Sequence, residues 1–119
     1  MTNLRCLAAA ALLLLNTVPL LAQNQAPTAT FTWEPSICEE LWVTFDALGS
    51  YDPEGSLLTY EWNFGDGTPI VTTDGRAISH YYTYGGYQPY YVSMCVYDDL
   101  GSVGCFGNDV VPYRLCSDW

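Results

Sequence analysis

Residues 60–69, YEWNFGDGTP, set three aromatics, Tyr60, Trp62 and Phe64, at every second position and then run straight into Gly65-Asp66-Gly67. A period of two is that of a β-strand, so the three rings share one face and Glu61 and Asn63 share the other. Buried together, three such rings supply several kcal/mol of core. The glycines accept positive φ and the aspartate between them can bond nearby backbone amides, which makes a tight turn at the strand end. A glycine loop built to hold phosphate would need a helix behind it, and Thr68-Pro69-Ile70-Val71 offers none.

The same period extends outward from this stretch. Phe31 and Trp33 alternate with Thr30, Thr32 and Glu34, and Val43 and Phe45 alternate with Thr44 and Asp46. Turn-forming residues recur at Pro35, Gly49, Pro53-Glu54-Gly55, Asp74-Gly75, Gly85-Gly86 and Asp98 to Gly101. Apart from the N-terminal apolar run, no window sustains a helical period behind a capping residue. Short strands at this spacing predict an all-β protein, a β-sandwich of antiparallel sheets.

The N-terminal 22 residues place Arg5 ahead of an apolar run from Cys6 to Leu15, with small residues near Ala22. This reads as a secretory signal peptide, residues 1–22, cleaved after Ala22. A polar leader, 23–26, then precedes one domain, 27–113, and a short tail, 114–119. The expected location is secreted or extracellular, with the cell surface and the periplasm left open. The chain has 13 Asp and Glu against 3 Arg and Lys together, a net charge of −10, and loss of Arg5 leaves 13 acids against 2 arginines, or −11. Such a charge repels phosphate backbones and anionic lipid, so neither nucleic acid nor a membrane, beyond the signal peptide, is expected as a partner. Five cysteines become four without Cys6, an even number that suggests two disulfides with three connectivities open. Zinc is disfavoured, since no Cys-x-x-Cys pair occurs and the only histidine is His80.

Residues 43–68, VTFDALGSYDPEGSLLTYEWNFGDGT, resemble the polycystic kidney disease (PKD) domain family. They follow its Phe-Asp-Ala strand, its Gly-Ser-x-Asp-Pro-x-Gly turn and its Trp-x-Phe-Gly-Asp-Gly-Thr strand end. His80 and Tyr82 resemble the family's His-x-Tyr, and Tyr90 opens a matching penultimate strand before the Gly101 turn. The resemblance spans about residues 27–112 and implies an immunoglobulin-like β-sandwich. It also implies contact with extracellular protein or polysaccharide, without chemistry of its own. In this pattern Trp62, Phe64, Gly65, Asp66, Gly67, His80, Tyr82 and Tyr90 are structural. Where the family usually has a glycine two residues before Tyr90, this chain has Gln88, with Gly85-Gly86 and Pro89 suggesting a local insertion. The cysteines and the tail RLCSDW are additions.

On that frame Tyr90, Val92, Met94 and Val96 face the core, so Cys95 faces outward with Tyr91, Ser93 and Tyr97. The Asp98-Asp99-Leu100-Gly101 turn sets Cys95 nearly opposite Cys105, at a cross-strand separation of about 4.5 to 5.5 Å that suits a disulfide. That pairing is the first choice. It leaves Cys38 for Cys116, at the same end of the sandwich, a bridge worth about 4 to 5 kcal/mol on the chain-entropy model.

No catalytic residue is expected. The acidic pairs Asp52 with Glu54, Glu39 with Glu40, and Asp98 with Asp99 fall in turns, where carboxylates are solvated or bond local backbone. No cofactor is required by the sequence. Calcium is the alternative that the resemblance implies, because relatives in secreted bacterial proteases bind it near the N-terminal strand and the turn after the second strand. The matching position is Asp52, with Glu54 beside it, although Asp52-Pro53-Glu54-Gly55 also suffices as a turn. Trp42, Tyr91 and Tyr97 are the candidate binding aromatics, outward residues able to stack on sugar rings or anchor a protein. Three functions follow as expectations: a secreted binding module, a calcium-dependent structural spacer, or a fragment of a larger adhesin or hydrolase.

Overall fold

The computed structural model describes residues 23–36, 41–85 and 88–113. The expected signal peptide, Cys38, Cys116 and the tail lie outside them. Among the described residues seven strands form: β1 (Thr32–Pro35), β2 (Trp42–Asp46), β3 (Thr59–Asn63), β4 (Val71–Thr73), β5 (Ala77–Tyr81), β6 (Tyr90–Tyr97) and β7 (Val103–Val110). They make a three-stranded sheet in the order β1-β2-β5 and a four-stranded sheet in the order β4-β3-β6-β7. Every pairing is antiparallel. This is the all-β sandwich that the alternation predicts. Among the described residues no helix is long and apolar enough to cross a membrane.

The inward residues of both sheets meet in one core. Val43 and Phe45 come from β2, Tyr60 and Trp62 from β3, and Val92, Met94 and Val96 from β6. Trp62 is the hub, with Phe31 at 5.2 Å, Phe45 at 5.4 Å and Phe64 stacked at 6.1 Å between ring centroids. Tyr60, Trp62 and Phe64 are all buried, as their shared face requires. Tyr90 packs at the core edge with its ring 4.5 Å from that of Tyr82.

The first expected strand starts later than its sequence pattern. Thr28 makes a single bridge to Tyr51, and the β1–β2 ladder begins only at Thr32. Around this bridge the backbone leans on the other sheet: the Pro27 carbonyl occupies the space that a side chain at Gly104 would need, and Phe31 packs edge-on against Phe106. At the opposite end of β7 the chain leaves through buried Pro112, whose carbonyl lies against Gly85.

Candidate functional site

The Gly65-Asp66-Gly67 turn locks the two sheets together. Gly65 has φ of 74° and its α-carbon is so close to β6 that a Cβ would overlap the Tyr91 carbonyl. Asp66 Oδ1 accepts hydrogen bonds from the Thr68 amide at 3.1 Å and the Thr68 hydroxyl at 2.6 Å. Its Oδ2 pairs with Nε2 of His80 at 2.7 Å, and both side chains are largely covered. His80 belongs to β5, in the other sheet, and stacks on Phe64 with centroids 3.9 Å apart and planes within 7°. Burial works against the Asp66 charge, but the bonds from Thr68 and His80 outweigh it and hold the carboxyl below its ordinary range. Tyr82 donates to the Phe64 carbonyl at 3.1 Å, and burial first, with the Asp66 charge and Tyr90 adding, pushes its phenol well above the usual range. These residues join one sheet to the other, and their chemistry is consumed in doing so.

A second cluster lies at the end of the sandwich where the chain enters. Asp52 and Asp98 are its covered carboxylates, each 7% exposed. Asp52 Oδ2 accepts the amides of Glu54 and Ser56, and Asp98 Oδ1 accepts those of Leu100 and Ser102. Of the two readings open to turn carboxylates, bonding local backbone holds for both, and solvation does not. The leader ties the two turns together. Asn24 donates to Asp98 Oδ2 at 2.6 Å, the Gln25 amide donates to Glu54 Oε1 at 3.1 Å, and Ser56 donates to Asp99 Oδ1 at 2.7 Å. Burial opposes the charge of Asp98, and bonds from Asn24, Ser102, Leu100 and Gly101 outweigh it, so its carboxyl is held below the usual range. Asp52 Oδ1 is buried with no partner among the described residues. Glu54, the residue expected beside Asp52, stays at the surface, where its carboxylate accepts the Gln25 amide. Among the described residues no three His, Cys, Asp or Glu side chains gather as a metal-binding group.

The three candidate binding aromatics fall on two opposite faces. Trp42 lies on the outer face of the three-stranded sheet, opposite Tyr81 in register and 5.5 Å from it between ring centroids. Tyr91 and Tyr97 lie on the outer face of the four-stranded sheet, with the first exposed and the second half-buried. Alternation correctly marks all three as outward, but it cannot tell which sheet an outward residue belongs to. Trp42 and Tyr81 form a cross-strand aromatic pair, whose contribution of about 0.2 to 1 kcal/mol to the sheet explains both without a ligand. Beside them a shallow depression of about 180 Å³ is lined by Thr32, Trp33, Glu34, Thr44 and Asp46. Arg76 reaches Asp46 at 3.3 Å.

Cys95 and Cys105 are register partners and form a disulfide across the β6–β7 hairpin, with Cα atoms 4.1 Å apart. It lies on the outer face, as the alternation along β6 requires. The two cysteines are 10 positions apart in sequence, so the closed loop is short, and removing both with Cys95→Ala and Cys105→Ala is expected to lower stability by about 2 to 3 kcal/mol. Urea unfolding of oxidised parent and double variant measures this, and equal midpoints would mean that the bridge does not constrain the denatured chain.

An antiparallel β-sandwich with a Trp-x-Phe-Gly-Asp-Gly turn latched to a His-x-Tyr strand is the pattern of the PKD domain. The model of that family matches residues 24–112, and the chain belongs to it. Collagenase ColA of Clostridium perfringens is 31% identical over 80 residues, which cover 67% of this chain and 7% of that protein. The microbial collagenase of Vibrio alginolyticus is 30% identical over 95 residues, 80% of this chain and 11% of that protein. The chain therefore spans about a tenth of the length of such relatives. Among solved structures, the PKD1 domain of Vibrio anguillarum Epp superposes with a TM-score of 0.64 at 32% identity, over 77% of this chain and 99% of that one. A structure described as showing the promiscuous specificity of carbohydrate-binding modules from the β-sandwich superfamily gives a TM-score of 0.67 at 32% identity, over 81% of this chain and 38% of that one.

Proposed function

We propose that the chain is a non-catalytic binding module that works outside the cell and holds its partner on an outer sheet face. One observation carries the reading: aromatic side chains with no part in the core, Tyr91 above all at 64% exposure, stand on flat β-surface where a polymer can lie. The likeness to carbohydrate-binding modules and to segments of collagenases supports a polysaccharide or an extracellular protein as that partner. The acidic charge argues against polyanions of either kind. The oxidised chain, incubated with insoluble polysaccharides and with collagen fibrils, is expected to be retained on at least one of them. Recovery entirely in the unbound fraction across that panel would overturn the reading.

A second reading, a calcium-dependent structural domain, is favoured by the buried, partnerless Oδ1 of Asp52. An orphaned carboxylate oxygen is costly unless something balances it, and a hard cation with six to eight oxygen ligands is one such group. Asp52, with the carbonyls of its own turn, is the residue that would hold it. The ion would neutralise the buried Asp52 carboxylate. Millimolar Ca²⁺ is then expected to raise the melting temperature, by the equivalent of about 2.7 kcal/mol at a hundred times the dissociation constant, and Asp52→Asn to abolish the rise. A melt that ignores Ca²⁺ in the parent chain leaves Asp52 as a turn residue only.

A further inference from the structure

We propose that the outer face of the four-stranded sheet is a seat for a linear, uncharged polysaccharide, lying along β6 from Tyr91 to Tyr97. The proposal rests on the binding-module reading and deepens it by naming the face and the ligand class.

The face is low and apolar along one line. Val92, Met94 and Val96 are fully buried, so Tyr91, Ser93, Cys95 and Tyr97 point the other way. Across the ladder on β7, Gly107 faces Ser93 and Cys105 faces Cys95. Gly107 is what shapes the surface. A Cβ there would occupy the place of the Tyr91 phenol, so the ring lies over the glycine along the sheet instead of standing up from it. Covering a bare glycine explains the pose of the ring. It does not explain why 64% of Tyr91 still faces solvent. Ser93 and the Cys95–Cys105 disulfide keep the middle of the line low, and Tyr97, beside Val103, closes its far end.

A row of hydrogen-bonding groups runs parallel to this line. On β3, Asn63 is opposite Ser93, Glu61 opposite Cys95 and Thr59 opposite Tyr97. Neighbouring strands are about 4.8 Å apart and six residues of strand cover about 20 Å, so an apolar strip is flanked along its length by an amide, a carboxylate and a hydroxyl. A pyranose ring has the complementary form, an apolar face of C–H groups and a rim of hydroxyls. Charge narrows the class. Glu61 stands on one side of the strip and Asp109, the register partner of Tyr91, on the other, so uronate or sulfated polymers are repelled. Area selects against a protein. A strip about 20 Å long and about two strand spacings wide offers on the order of 200 Å², against about 800 Å² per partner in a stable protein interface.

The test is retention of the full oxidised chain on cellulose, chitin and xylan, with alginate as the anionic control and collagen fibrils as the protein control. Four variants are compared: Tyr91→Ala, Tyr91→Phe, Gly107→Ala and, on the opposite face, Trp42→Ala. Retention on a neutral polysaccharide is expected to fall at least tenfold for Tyr91→Ala, to survive Tyr91→Phe and Trp42→Ala, and to weaken for Gly107→Ala, which keeps the ring but lifts it. Tyr91 is exposed, so its variants are expected to melt as the parent does, which separates lost binding from lost fold. Parental retention of Tyr91→Ala, or loss confined to Trp42→Ala, would overturn the proposal and leave a polysaccharide-binding module with its site elsewhere. Retention on collagen or alginate alone would overturn it and leave the broader binding reading intact. Retention on nothing would end both.

Discussion

Gly65→Ala is expected to destabilise the domain by about 2 to 5 kcal/mol, the sum of about 1 to 2 kcal/mol for a side chain at positive φ and about 1 to 3 kcal/mol for overpacking. The second part is decisive. The atom in the way is the Tyr91 main-chain oxygen, which cannot move without disturbing β6, the longest inner strand of its sheet. For a domain of this size each kcal/mol shifts the melting temperature by roughly 4 to 8 °C, so a fall of at least about 8 °C is expected. Gly67 is the internal control. Its φ is 82° but nothing lies within 4 Å of its would-be Cβ, so Gly67→Ala is expected to cost only about 1 kcal/mol. Thermal melts of the two variants side by side decide the matter, and equal losses would mean that the close approach to β6 carries no energy.

Asp66→Ala is expected to cost about 2 to 4 kcal/mol at pH 7, because it leaves the largely covered His80 without its acceptor and removes the bonds that tie Thr68 into the turn. The pH dependence gives an independent signature. The Asp66 carboxyl titrates lower in the folded chain than its ordinary value near 3.9, so its contribution is complete above that value and is lost as pH falls through the depressed one. Parent and variant are therefore expected to differ most at neutral pH and to converge below about pH 4. Denaturant midpoints from pH 7 to pH 2.5 provide the comparison. A gap that stays constant into acid would show that the carboxylate charge is not what His80 and Thr68 require.

The sequence makes the sandwich legible because its strands alternate cleanly. Tyr60, Trp62 and Phe64 announce a buried face, and Val92, Met94 and Val96 announce another, and both are buried. The Cys95–Cys105 bridge was readable for the same reason, since a short turn between two alternating strands fixes both register and side. What the alternation could not supply is relation between sheets. Asp66 reads locally as a turn residue, yet one of its two carboxylate oxygens is taken by His80, 14 residues away on the other sheet. Trp42, Tyr91 and Tyr97 are alike in pointing outward, and only the assembled sandwich parts the first from the other two. The overlap of Tyr91 with Gly107 had one available signal, a glycine two residues beyond Cys105 in an otherwise regular strand, which marks a place where something else approaches closely.

The route of the backbone through the sandwich also sets how the domain carries load. Pro27 lies against Gly104 at the start of β7, while Pro112 lies past its end, so the chain enters at one pole and leaves at the other. Tension between the two ends is directed along the strands. In antiparallel ladders the hydrogen bonds lie across the strand direction, and the eight register pairs of β6 and β7 would be strained together in shear, not opened one after another. Within a longer polypeptide, such a unit would pass force straight from the segment before it to the segment after it while its two outer faces stay free.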